Sequence, residues 1–193
     1  MTVPSIKGTG FQSAVDDIHR LLNARLLTRE ELEARLTPED LLILESKIGP
    51  LSWIPVETYR RVVDVLIAIE AQGDPEGYLF QRGWRAAERL HKAGLYSQFE
   101  ASLGKWGVRV GKLIVTLGRE LWNFTEWKFE LIPGEPLRGY CIFVDDAAAL
   151  PECARFTSHG FIEYLARMAT GLSLRVTSER MPGGRIIFTV TGG

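Results

Sequence analysis

Leu172-Ser-Leu-Arg-Val-Thr-Ser-Glu179 and Arg185-Ile-Ile-Phe-Thr-Val190, set either side of Met181-Pro-Gly-Gly184, decide the fold. Leu172, Leu174 and Val176 alternate with Ser173, Arg175 and Thr177, the period-two pattern of a strand with one buried face. The glycine pair supplies the turn of a hairpin. Working backwards, Glu152 to Thr170 is predicted to be a helix with Phe156, Gly160, Phe161, Tyr164, Leu165 and Met168 on its inward stripe. Before it, Phe124-Thr-Glu-Trp-Lys-Phe-Glu-Leu131 and Arg138-Gly-Tyr-Cys-Ile-Phe-Val144 carry the aromatic and β-branched content of strands around Pro133-Gly-Glu-Pro136. This hairpin, helix, hairpin order predicts an α+β fold in which amino-terminal helices pack on a four-stranded antiparallel sheet.

The first half reads as helices opened by capping chemistry. Thr28-Arg-Glu-Glu31 is a capping box, Thr37-Pro-Glu-Asp40 places a cap, a preset φ and two acids in the favourable order, and Asp74-Pro-Glu76 repeats the logic. Such acids mark helix starts and are not read as catalytic. From Val56 to Ala71, Tyr59, Val62, Val63, Leu66 and Ile67 share one face opposite Arg60, Arg61 and Asp64. A further helix is predicted from Tyr78 to Leu95, with Gly94 to end it.

Between Phe99 and Leu121 a helix would align Gly104, Gly107, Gly111 and Gly118 within an arc of roughly 60°. Each glycine costs about 1 kcal/mol relative to alanine inside a helix. Compensation would come from close packing on another element, from a homodimer seam, or from a channel for a flat or chain-like ligand. Short strands over Val108-Arg-Val110 and Lys112-Leu-Ile-Val-Thr116 are the competing reading, and the helix is preferred.

At 193 residues the chain is expected to form a single domain, 1–193, with a mainly helical half (1–121) and a ββαββ half (122–193). Lys and Arg number 23 against 24 Asp and Glu, which leaves no field to attract nucleic acid. No apolar run reaches the ~20 residues of a membrane span, and the first residues lack the pattern of a secretory signal. A cytoplasmic protein with reduced Cys141 and Cys153 is expected. Phosphate-loop, His-Glu-x-x-His and Gly-x-Ser-x-Gly motifs are all absent from the sequence. Asp145 and Asp146, adjacent in a loop, are read as solvated, and His159 is one turn from Glu163.

On the last half, the chain resembles the 4-vinyl-reductase-type ligand-binding domains, to which heme nitric-oxide-binding domains are more distantly similar. With Ile48-Gly-Pro-Leu-Ser-Trp-Ile-Pro55 and Tyr59 included, it looks closest to a paralogous family found mainly in myxobacteria. In zinc-containing sensors of this type, a cysteine near the last helix and a glutamate and two cysteines around the final hairpin bind metal. Cys153 and Glu179 match two of these positions, but Arg180 to Phe188 holds no cysteine, so the metal site is degenerate. The heme-carboxylate clamp Tyr-x-Ser-x-Arg is also absent, and both zinc and heme are disfavoured; no cofactor is expected.

The resemblance implies a non-catalytic sensory or adaptor module that binds a small apolar ligand or a protein partner. Its expected ligand-binding residues are Trp106, Gly107, Gly111, Trp122, Phe143, Phe161 and Tyr164. Two alternatives stand beside it: a homodimeric structural subunit without ligand, and a reductase-like or thiol-dependent enzyme using Cys153 and Glu179.

Overall fold

The computed structural model describes residues 2–94, 108–134, 139–171 and 173–192. Trp106 and Gly107, with Phe99 and Gly104 at the start of the glycine stripe, lie outside the described residues, as do Leu172 and the second half of the Pro133 to Pro136 turn. The described chain is α+β, and it divides into two compact units.

The first unit comprises the chain up to Tyr78 together with Glu120–Phe124. Strand β1 (Ser5–Lys7) pairs antiparallel with β2 (Trp53–Pro55). Helix α1 (Gly8–Asn23) buries Phe11, Ala14, Val15, Ile18 and Leu21, a clean helical stripe, and packs on α4 (Val56–Glu70), which buries Tyr59, Val62, Val63 and Leu66. Between them, α2 (Arg29–Glu33) and α3 (Pro38–Glu45) each open on a formed capping box, Thr28 with Glu31 and Thr37 with Asp40.

Asp40 has a second role that sequence spacing does not show. Its carboxylate is wholly buried and takes a bidentate pair from Arg61 on α4, at 2.6 and 2.8 Å. Burial alone would raise its pKa, but hydrogen bonds from Arg61, Thr58 and Thr37 outweigh that and hold it well below the ordinary carboxylate range.

The second unit holds the rest of the described chain: most of α5 (Pro75–Lys92), most of α6 (Val108–Leu121), the sheet and α7 (Glu152–Thr170). Strands β3 (Glu126–Ile132), β4 (Gly139–Asp145), β5 (Leu174–Arg180) and β6 (Ile186–Gly192) form one antiparallel sheet in the order β3-β4-β6-β5. The two predicted hairpins are therefore joined edge to edge through β4 and β6. The register pairs Trp127 with Val144, Ile142 with Phe188 and Val176 with Val190, so one face carries the buried residues.

Two glycine contacts set helix positions here. On α6, a Cβ at Gly111 would overlap the Phe129 ring and one at Gly118 the Trp127 ring, so in its described part the stripe receives sheet aromatics. Where α5 meets α7, a Cβ at Gly83 would overlap the Thr157 carbonyl and one at Gly160 the Phe80 carbonyl. At that crossing the two helix backbones touch.

Alanine normally favours a helix interior over glycine by ~1 kcal/mol. Gly160→Ala should do the opposite, because the carbonyl it meets is backbone and cannot move aside, and a net loss of about 1–3 kcal/mol is expected in urea denaturation. In the first unit, Asp40→Asn should cost about 3 kcal/mol by leaving Arg61 without its charge partner. Asp40 has a depressed folded pKa, so its contribution is full above an unfolded value of about 3.9 and is lost as pH falls below it. Wild type should therefore lose more stability than the variant in denaturation curves taken from pH 5 downward.

Candidate functional site

Among the described residues of the second unit, a connected polar group lies between α7 and the edge strand β5, which has a neighbour on one side only. Arg155 donates to the Ser178 carbonyl at 2.9 Å and to its hydroxyl at 2.8 Å. One turn on, His159 Nε2 meets the Val176 carbonyl at 2.9 Å while Nδ1 meets the Ser178 hydroxyl at 3.2 Å. Arg167 reaches the Leu174 carbonyl at 3.2 Å, and Glu163 lies between them, paired with Arg167 at 2.5 Å and 3.7 Å from His159. Four residues of helix rise about 6 Å, which nearly matches the ~6.7 Å between alternate strand residues, so Arg155 and His159 meet the carbonyls of Ser178 and Val176. Arg167 stands two turns beyond His159 and reaches back to Leu174.

Donation from Nε2 to the Val176 carbonyl leaves Nδ1 to accept from Ser178. Burial lowers the pKa of His159, partly countered by the Val176 bond and by Glu163, so the neutral ring is favoured. Ser178 thus stands in a serine, histidine, glutamate arrangement, but its hydroxyl also takes Arg155, and the cluster reads as edge closure.

Beside this ladder is an aromatic group on α5 and α7. Trp84 meets Tyr164 edge-on at 5.1 Å, Phe80 meets His159 at 5.3 Å, and the Tyr164 hydroxyl bonds His91 Nδ1 at 2.7 Å.

The expected ligand-binding residues fall in several places. Gly111 faces Phe129 on the buried side of the sheet, whereas Phe143 is on the other side beneath Arg185, 5.7 Å from its ring centre. Phe161 and Tyr164 are half-buried on α7. Trp122 belongs to the first unit, bridged to Ile6 and packed edge-on against Tyr59 at 5.8 Å. Cys153 is buried in the first turn of α7, and Glu179 is exposed on β5. Among the described residues no group of three metal-ligating side chains forms. Asp145 does not stand solvated as expected, because Lys128 and Arg185 both bond it.

Among the described residues, three buried side-chain polar atoms have no hydrogen-bond partner: Trp122 Nε1, Tyr140 Oη and Thr157 Oγ1. Sequence reasoning singled out Trp122 but neither Tyr140 nor Thr157. Tyrosine on a strand is an ordinary core reading, and only packing shows whether its hydroxyl is answered. A shallow pocket of about 150 Å³ in the first unit, lined by Arg35, Arg61, Asp64 and Val65, is smaller than the ~300 Å³ at which ligand pockets begin.

No family model matches the chain, and no curated protein does. Solved structures do. A mutant H-NOX of T. tengcongensis matches with a TM-score of 0.56 at 12% identity, covering 97% of both chains. Another Tt H-NOX variant matches at 0.57 and 13%, over 97% of this chain and 95% of that one. A third structure, described as "Modulating Heme Redox Potential Through Protein-Induced Porphyrin Distortion", matches at 0.56 and 10%, over 96% and 99%. The chain therefore has the fold of H-NOX, the heme NO/oxygen-binding domains, over 96–97% of its length.

This likeness corrects the expectation that no cofactor is bound and that heme is disfavoured, which rested on a missing clamp motif. Two of the three solved structures named above are H-NOX proteins and the third concerns a heme, so a motif's absence does not set heme aside. The chain's own histidines define what a heme would meet. His19 lies exposed on α1, and His159 has both ring nitrogens engaged. His91 is tied through Nδ1 to Tyr164 in the aromatic group. As placed, these three do not make an axial site.

The lowered pKa of His159 has a consequence for stability. Its neutral form is preferred in the fold, so stability is full above the unfolded histidine value of about 6.5 and is lost as pH falls from there towards the folded value. His159→Gln, which keeps an amide donor for Val176 but cannot titrate, should flatten the slope of unfolding free energy between pH 7 and 5. An unchanged slope would assign it to another group.

Proposed function

We propose that this protein is a non-catalytic sensory module of a signalling system, which holds a small, largely apolar molecule and responds to it through the packing of helices on its sheet. The observation that carries the reading is the H-NOX fold over 97% of the chain. A relation to 4-vinyl-reductase-type domains, closest to the myxobacterial paralogous family, belongs to the same proposal. So do an adaptor role, a protein partner or second copy as the recipient of the signal, and a cytoplasmic site. Among the described residues no helix is long and apolar enough to cross a membrane.

Physically, a bound molecule shifts a sensor only by preferring one of two packings. The contacts of Gly111 with Phe129, Gly118 with Trp127 and Gly83 with the Thr157 carbonyl leave little slack, so a change at one of them must be taken up by movement of a whole helix. Gly111 and Tyr164 are the described candidates best placed to feel such a change, the first against the sheet and the second between α5 and α7. Trp106, Gly107, Trp122, Phe143 and Phe161 remain in the proposal as secondary candidates. Heme is the first group to assay, since it is the one the fold's solved examples point to.

Native mass spectrometry of freshly purified protein, before and after denaturation, together with a hemin titration followed by absorption, tests the reading. One organic molecule per chain is the expected result. A Soret band would identify that molecule as heme. A folded protein that releases nothing, takes up no hemin and shows no melting shift with small aromatic compounds would end the sensory reading.

A further inference from the structure

On the buried side of the sheet, the three inward residues of β3 are covered unequally. Trp127, against Gly118, is 2% exposed; Phe129, against Gly111, is half-buried; Leu131, at the far end, is 42% exposed. Directly across from Leu131 in the register is Tyr140, on the same face of the sheet. Tyr140 is 1% exposed, its ring lies 5.3 Å from that of Phe129, and its hydroxyl has no partner.

A buried hydroxyl without a hydrogen bond is costly, and native proteins leave few of them. Tyr140 sits where an alternative was available, since phenylalanine would fill the same volume without the penalty. Its neighbours across the ladder, Leu131 and Val190, are apolar. Burial also pushes the phenol's pKa up, so it stays protonated and can donate.

We infer that the Leu131 end of the inner sheet face is the mouth of a binding site for a small neutral molecule, apolar apart from one carbonyl-type acceptor, which takes its hydrogen bond from the Tyr140 hydroxyl. Phe129, held between Gly111 and Tyr140, forms its inner wall. This rests on the sensory reading and names the ligand's chemistry. A charged ligand is unsuited to the site, because the residues paired around Tyr140 offer no counter-ion.

Acetophenone and ethylbenzene serve as probes, being similar in size and differing by the carbonyl oxygen. Calorimetric titration of wild type should show acetophenone binding the tighter by about fivefold, the value of one hydrogen bond. In Tyr140→Phe that preference should vanish while the unliganded variant melts no lower than wild type, since it loses only an unanswered hydroxyl. Leu131→Trp, which crowds the mouth without touching the phenol, should weaken both compounds together.

Equal preference in wild type and Tyr140→Phe would overturn the assignment. So would a variant that melts clearly lower while neither compound binds, which would mean that the hydroxyl serves a buried water only. The sensory reading fails separately. If wild type and Tyr140→Phe both release the same organic molecule in equal amount, a sensor remains and its site is elsewhere; if neither protein releases or binds any molecule, both readings fall.

Discussion

One helix surface governs the second unit: α7 closes the open edge of β5 with side chains and meets α5 with bare backbone. An edge strand presents unpaired backbone groups, and left open it would recruit other strands or water. Arg155, His159 and Arg167 answer the carbonyls of Ser178, Val176 and Leu174 in turn. Arg180 on β5 ties back to the carbonyls of Ala147 and Leu150 and to Glu152 at the helix start. With so many bonds aligned, the helix cannot slide along the strand by less than a whole turn without losing several at once. On its other side, Gly83 and Gly160 let α5 approach until carbonyls take the place of side chains. The position of α5 is thereby set by α7, and that of α7 by the sheet.

How much of this could be read in advance depends on the range of each interaction. The last helix was predicted from Glu152 to Thr170 and runs between those residues, because Pro151 before it and the left-handed Gly171 that ends it are local features. The four strands of the large sheet fall within two residues of their predicted limits for the same reason, whereas β1 and β2, three residues each, were not predicted. The inward stripe of the last helix was less legible, since Gly160 and Leu165 are buried but Phe156, Phe161, Tyr164 and Met168 are only half-buried, and Ile162 and Ala166 take their place. What periodicity cannot carry is the order β3-β4-β6-β5, since joining two hairpins through β4 and β6 is a non-local choice. Asp40 shows the same limit at a single residue: its cap role follows from Thr37 three positions earlier, but its pairing with Arg61, 21 positions later, depends on where α3 and α4 meet.

The candidate sites were less legible. Cys153 and Glu179 stand out in the sequence only through a resemblance to zinc-containing sensors, yet one is buried in a helix's first turn and the other is exposed on a strand. The cofactor expectation failed for a different reason. It treated a short motif as the determinant of heme, whereas a fold can be shared at 12% identity with few side chains in common. Backbone architecture is fixed by apolar pattern and turns, which tolerate wide substitution, while a ligand is held by a few side chains that can be replaced independently.

That separation shows in two glycines and one tyrosine of the second unit. Gly111 and Gly118 were noted as a stripe whose use was open, and in the described residues they receive Phe129 and Trp127. Packing accounts for both of them without any ligand. It does not account for Tyr140, whose ring fills space that phenylalanine would fill equally well and whose hydroxyl is left unanswered. Good packing and an unanswered donor make opposite contributions to stability, and their occurrence in adjacent residues of one sheet face is the arrangement a preformed ligand contact requires: walls already in place, with one directional group reserved for what enters.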